Sequence, residues 1–282
     1  MNLISLTLAR NSAWCIEATI GHALNYCDSA VVLCHACTDG TQEILRSAFG
    51  KRVDLIEVAE ADRWNEMHHR QATLRRGREL GGTHFMILDD DEVVADPLVP
   101  QMREFADRFA PGQVALMPMV CCWRDLDHYR CDRDNNPFAR LGKSTFFTDS
   151  PTLSWKPRSG YHHHHTHPFG STPVRFNPGR YRWMHLQHAS WPRLVVKQTW
   201  YMAAELLRYG EVKADYRRTM SEIGVERREV PADWWAPGLK SKIDLESEPW
   251  QLRDLRRMID ERGVDFFRVH DIPIDMALSY WT

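Results

Sequence analysis

Strand-like and helix-like segments alternate four times within roughly the first 95 residues, and this rhythm restricts the fold more than any other feature of the chain. Leu3 to Leu8, Ala30 to Cys34, Val53 to Val58 and Phe85 to Leu88 are short apolar runs bounded by polar breaks. Runs of that length and character read as strands buried on both faces. Between them lie amphipathic stretches. The first is capped by Asn11 or Ser12 and reaches to about Tyr26; the second, Gln42 to Phe49, is capped by Thr41. The third, Trp64 to Leu80, closes on Gly81-Gly82. Strand and helix in strict alternation predict a parallel, doubly wound α/β sheet.

The fourth run ends in Asp89-Asp90-Asp91-Glu92. Adjacent carboxylates repel one another unless something positive sits among them, and the carboxyl ends of strands in an open α/β sheet are where ligands bind. A hard divalent cation with oxygen ligands, itself bound by phosphates, is the natural occupant. Strict alternation along an extended chain puts Asp89 and Asp91 on one side, Asp90 and Glu92 on the other. A solvated acidic turn is the plain alternative.

Beyond Pro100 the pattern predicts a helix to Phe109 and one long strand from Gln113 to Cys122, followed by a polar and aromatic stretch. Strand character returns around Ser144 to Phe147 and from Tyr181 to His188. A long amphipathic helix spans Arg193 to Tyr209, and charged helical segments follow around Trp250 to Arg262. The expected organisation is a core of residues 1–192 with a mainly helical extension over 193–282. With 36 basic and 38 acidic residues, no global field draws the chain to nucleic acid or anionic membrane. The N-terminus lacks the features of a signal peptide, and no apolar run reaches the length of a bilayer span. Seven cysteines in a chain rich enough in apolar residues to build a core suggest reduced thiols and a cytoplasmic setting.

The order strand, Arg10-Asn11, strand, Thr38-Asp39-Gly40-Thr41, strand, helix, Leu88-Asp89-Asp90-Asp91-Glu92 resembles the family 2-like glycosyltransferases of the GT-A fold. A second block, His185-Leu186-Gln187 through Trp191, Arg193, Lys197 and Trp200-Tyr201, is similar to the C-terminal signature of one subset of that family. The resemblance implies a GT-A-type, Rossmann-like sheet and transfer of a sugar, usually with inversion. The donor would be a nucleoside-diphosphate sugar, UDP-linked by preference, assisted by Mn²⁺ or Mg²⁺.

It also implies roles for particular residues. Arg10 and Asp39 would face the base and ribose, with Arg70 near the donor. Asp89 and Asp91 would be the two acids of a DxD motif, the first at the ribose or sugar and the second on the metal. His185 would be a further metal ligand. Cys34 stands where family members usually carry an Asp that contacts the nucleoside. The acceptor is open among a saccharide, a lipid-linked sugar, a protein and a hydroxymethylated base in phage-type DNA. Two other readings of such a sheet are a sugar nucleotidyltransferase and a silent nucleotide-sugar-binding protein. The first wants a glycine-rich loop after the first strand, and Leu8-Ala9-Arg10-Asn11-Ser12 has no glycine.

An inverting transfer needs a base for the acceptor hydroxyl, commonly a carboxylate. Asp125, Asp127 and Asp132 follow a strand end; Asp125 is the first candidate and Asp132 the second. Cys34-x-x-Cys37 has the spacing of a redox pair or half a zinc site, but no partner pair exists, so packing cysteines are the simpler reading. His162 to His165 with His167 form a polar loop that could lie beside an acceptor. Basic stretches at Arg70 to Arg78 and Arg253 to Arg257 are either polyanion contacts or solvated helix faces.

Overall fold

The computed structural model describes residues 1–59, 64–132, 142–156 and 167–281. The histidines at 162–165 lie outside the described residues. The described chain forms two compact units that interleave along the sequence. One comprises Met1–Val120, Phe138–His185 and Pro231–Asp244; the other comprises Cys121–Pro137, Leu186–Val230 and Leu245–Thr282. Residues 231–244 belong to the first unit and the described residues 121–132 to the second.

The first unit is built on a seven-stranded sheet. Its strands are β1 (Leu3–Ala9), β2 (Ser29–His35), β3 (Val53–Val58), β4 (His84–Asp89), β6 (Gln113–Met117), β9 (Lys143–Thr148) and β10 (Thr172–Arg175). Their order across the sheet is β10-β6-β9-β4-β1-β2-β3. β1, β2, β3 and β4 pair in parallel, as do β6 and β10, while β9 runs antiparallel to both β4 and β6. Helices α1 (Ile16–Ala23), α2 (Thr41–Phe49), α3 (Glu66–Glu79) and α4 (Met102–Asp107) provide the crossovers. This is the mostly parallel, doubly wound sheet that the alternation calls for.

Both faces of the sheet are buried, and period-two alternation sorts the side chains between them. Phe85 and Ile87 of β4 join Ile4, Leu6, Met67 and Leu74 in one apolar layer. Met86 and Leu88 join Ile16, Ile20, Leu45 and Phe105 in the other. Cys34 lies in that second layer with no exposed surface, a packing residue. α3 can approach β4 closely because position 77 has no side chain. A Cβ there would stand 2.6 Å from the Phe85 ring.

Two elements differ from expectation. The stretch Gln113 to Cys122 is two strands, β6 and β7 (Met119–Cys122), because Pro118 cannot donate to a ladder and the chain bends there. α1 begins at Ile16 after Cys15, with no side-chain cap from Asn11 or Ser12, whose groups are engaged elsewhere. The β6–β9 ladder carries one irregularity. Ala115 faces Phe146 but Leu116 faces Ser144, so Thr145 is an extra residue, a β-bulge.

In the same unit, β5 (Glu92–Val94) pairs antiparallel with β11 (Trp183–His185), His185 lying opposite Glu92. In the second unit, β7 pairs with β8 (His128–Arg130), and β8 with β12 (Arg227–Glu229). There the helix Trp191–Tyr209 packs Val195, Met202 and Leu206 against Leu252 and Leu255 of the helix Trp250–Arg262. No helix among the described residues is long and apolar enough to cross a membrane.

Candidate active site

The carboxyl ends of β1, β2 and β4 meet at three loops that are tied to one another by side chains. Asn11, at φ 52°, accepts from the Thr38 N–H at 2.6 Å, and its own N–H donates to Cys37 Sγ at 3.3 Å. Asparagine tolerates this left-handed backbone better than most residues. Asp39 accepts from the Ala13 N–H at 2.9 Å through one oxygen, and from the Thr41 N–H and hydroxyl at 3.1 and 2.6 Å through the other. Asp39 therefore buckles the first loop to the start of α2. Arg10 is half-buried just past the end of β1. Asp90 accepts from the Ser12 hydroxyl, which ties the acidic turn to the same loop.

The four acids do not alternate as an extended chain would. The chain turns at Asp90-Asp91 between β4 and β5, so the expected pairing of Asp89 with Asp91 is replaced by a pairing of Asp89 with Glu92. Lys143, the first residue of β9, joins these two. Its ammonium donates to Asp89 Oδ2 at 2.9 Å and also contacts Glu92 Oε2. Arg70, on α3, donates to Asp89 Oδ1 at 3.1 Å and to Glu66 at 2.8 Å. Glu92 Oε2 further accepts from the Asp89 N–H at 3.0 Å and the Trp183 indole at 3.1 Å.

Burial alone would raise the Asp89 carboxyl, but Lys143 and Arg70 outweigh it and hold that acid well below the ordinary carboxylate range. Burial dominates at Glu92 instead and pushes it up against the pull of Lys143. Lys143 and Arg70 are themselves opposed by burial and raised by their carboxylates. Asp89 is thus the firmly ionised member, clamped through both oxygens, with about a third of its side chain exposed at 32%.

Asp91 points elsewhere. Its Oδ1 stands 3.1 Å from His185 Nε2, and both residues are buried. The register explains the meeting: β11 brings His185 opposite Glu92, next to Asp91. The spacing serves an imidazole–carboxylate hydrogen bond. It equally suits two neighbouring ligands of one octahedral cation, which lie about 3 Å apart when each bond is about 2.1 Å. A carboxylate oxygen with an imidazole nitrogen is a donor set that Mn²⁺ accepts readily. Among the described residues no three His, Cys, Asp or Glu side chains form a metal cluster. A cation held by these two residues would need its other ligands from substrate and water.

Beyond β2, His35, Trp64 and His69 form a ring cluster with centroids 5.0 to 5.1 Å apart. Burial first, then the neighbouring His35 and His68, lowers His69 to about 4.

The two nominated bases lie in the second unit and are already engaged. Asp125 accepts from the Asp127 and His128 N–H groups at 2.8 and 2.7 Å and from His128 Nδ1 at 2.9 Å. Burial opposes ionisation there, but these partners keep Asp125 below its ordinary value, which makes it a weaker base. Both oxygens of the buried Asp132 are taken by Arg130 at 2.7 and 2.9 Å. Of the C-terminal block, Trp200 donates to Asp254 at 3.3 Å and Tyr201 stacks on Tyr216 at 5.3 Å, both packing contacts.

Sequence reasoning missed Lys143. The available signal was a lysine opening the run Lys143-Ser144-Thr145-Phe146-Phe147, since a lysine in a fully buried strand is rarely without a charged partner.

Sheet order and the acidic turn at the carboxyl end of β4 define a mostly parallel, Rossmann-like α/β protein with its candidate site at that turn. No protein-family model matches the chain, and no curated protein does. Among solved structures, S. aureus TarS is similar with a TM-score of 0.47 and 10% identity, over 77% of this chain and 41% of that one. The chain thus spans about two fifths of the TarS chain it matches.

Proposed function

We propose that this protein is a metal-assisted glycosyltransferase that moves a sugar from a nucleoside-diphosphate donor to an acceptor hydroxyl. The observation that carries the reading is the acidic turn after β4, where Asp91 of the turn and His185 of β11 are brought to 3.1 Å from each other. Asp91 and His185 would hold the cation. When bound there, a divalent cation neutralises negative charge on a departing diphosphate. Asp89, fixed and ionised, would accept from a donor hydroxyl on the ribose or the sugar. The Asn11–Thr38 and Asp39–Thr41 contacts preorganise the loops that would receive the nucleoside, which limits the entropy lost on binding. UDP is the donor we favour, although Cys34, buried in the core, offers no carboxylate to the nucleoside.

A saccharide acceptor suits the surface better than DNA. Arg76 is paired with Asp54 at 2.8 Å and with Glu79 at 3.0 Å, and Arg78 with Asp149 at 2.8 Å. Arg257 pairs with Glu261 at 3.2 Å and Arg256 with Glu248 at 3.4 Å. Arginines so neutralised make a poor footprint for phosphates.

The test is hydrolysis and transfer from UDP-, GDP- and dTDP-sugars with and without Mn²⁺, in the wild type and in Asp91→Ala. Mn²⁺-dependent turnover of one donor is expected, reduced about 100-fold or more in the variant. Asp91→Ala turning over donor at the wild-type rate would falsify the mechanism. Pyrophosphate-forming turnover of a sugar phosphate with a nucleoside triphosphate would instead point to a nucleotidyltransferase, and nucleotide binding with no turnover to a silent binder.

A further inference from the structure

Lys143 has two carboxylate partners, and they need it differently. Glu92 is almost wholly enclosed, with 1% of its side chain exposed, and its Oε2 already accepts from the Asp89 N–H and the Trp183 indole. Two neutral donors hold it in place whether or not an ammonium is present. A buried ion pair does not by itself stabilise a fold, because desolvation offsets the attraction. Neutralising Glu92 is therefore an insufficient reason for a lysine with 4% exposure.

Asp89 is in the opposite position. Its Oδ1 is held by Arg70 at 3.1 Å, and Arg70 is fixed in turn by Glu66 at 2.8 Å. Among the described contacts, Lys143 at 2.9 Å is the side chain that holds Oδ2. With one oxygen anchored a carboxylate still swings about its last torsion, which is broad; with both anchored it cannot. Asp89 retains 32% exposure, so its remaining lone pairs face outward from a fixed plane. The lysine also bridges β4 to β5 across the turn that carries Asp91.

We propose that Lys143 is a positioning residue: it fixes the Asp89 carboxylate, rather than merely neutralising Glu92, so that Asp89 meets a donor hydroxyl in one orientation. This rests on the functional reading above and assigns that reading a residue the chemistry does not touch. The role concerns donor recognition, so its loss appears in KM for the nucleotide-sugar more than in kcat.

The double variant K143M/E92Q tests it. It removes one positive and one negative charge at nearly constant volume. The amide introduced by E92Q can still accept from the Asp89 N–H and the Trp183 indole, so the fold is retained even where K143M alone fails to fold. Thermal unfolding, KM and kcat are measured on wild type, E92Q and K143M/E92Q with the donor that wild type uses. The expected result is wild-type-like unfolding and a KM raised about tenfold in the double variant, the worth of one charged hydrogen bond, with E92Q near wild type. A folded double variant with wild-type KM overturns the positioning role and leaves Lys143 as a counter-ion to Glu92. A raised KM in E92Q equal to that of the double variant overturns it as well. A wild type that turns over no nucleotide-sugar overturns the functional reading first, and this role with it.

Discussion

Around the acidic turn, three carboxylates (Glu66, Asp89 and Glu92) share two cations, Arg70 and Lys143, while in the second unit Asp132 has both oxygens capped by Arg130. The second arrangement is closed. Asp132 and Arg130 are 5% and 3% exposed and satisfy each other in a bidentate pair, with Arg130 also lying over the Trp123 ring at 4.7 Å. The first is left open: Asp89 is partly exposed, and Asp91 beside it faces a histidine. A surplus of acid at a strand end attracts a cationic or hydroxyl-bearing ligand; a balanced pair only holds structure. The difference separates a site from a joint, although both are buried clusters of charge.

The largest effect is expected at the joint. Arg130→Met strands Asp132 as a buried, unpaired carboxylate and costs about 3–5 kcal/mol, read from the shift of the urea midpoint. Adding Asp132→Asn should recover most of that loss. A small effect of Arg130→Met would mean the pair is not closed, and the contrast would fail.

His185→Ala comes next and addresses the open side. Mn²⁺ affinity in the presence of nucleoside diphosphate should fall about 10- to 100-fold with little change in thermal unfolding. An unchanged metal titration would remove the distinction between Asp91 and an ordinary hydrogen-bonded acid.

The smallest effect uses a third way of burying a titratable group, leaving it neutral. His69 sits near 4 in the fold against an ordinary 6.5, so between those values the unfolded chain binds more protons. Stability is therefore lost as the pH falls through that window, by about 1 kcal/mol once solvent screening is allowed for. His69→Phe should flatten that acid limb. Urea midpoints for wild type and variant between about pH 4 and pH 7 decide it; identical slopes would show that His69 carries no such penalty.

Local pattern is enough to foresee the parallel strands, because burial on both faces writes itself into short apolar runs such as Phe85 to Leu88. It also marks out Asp91, whereas His185 is singled out by the family resemblance and not by local pattern. It fails where the outcome depends on partners distant in sequence. Extrapolating alternation past Leu88 assumes an extended chain, yet the turn at Asp90-Asp91 sends Asp89 toward Glu92 and Lys143. The resemblance assigns Asp39 to the nucleoside, and nothing local in the sequence shows that it also bonds the Thr41 N–H and hydroxyl at the start of α2. Ranking Asp125 and Asp132 by nearness to a strand end is blind to the His128 and Arg130 that occupy them. Pro118, by contrast, is visible in the sequence as a break in the long strand.

The extra residue at Thr145 has one more implication. Directly opposed residues of an antiparallel pair share a face, so Lys143, opposite Met117, takes the side of the layer that holds Met117 and Trp183. Unbroken alternation back from Phe147 would instead have put it with Phe85 and Phe147, an even number of steps away. One short strand thereby serves both layers with residues of the same parity, Phe147 filling apolar space while Lys143 crosses over to Glu92. Matching this strand to that of a distant relative by hydrophobic rhythm alone would misplace the lysine. The comparison has to admit one unopposed position and be anchored on the partner of Met117.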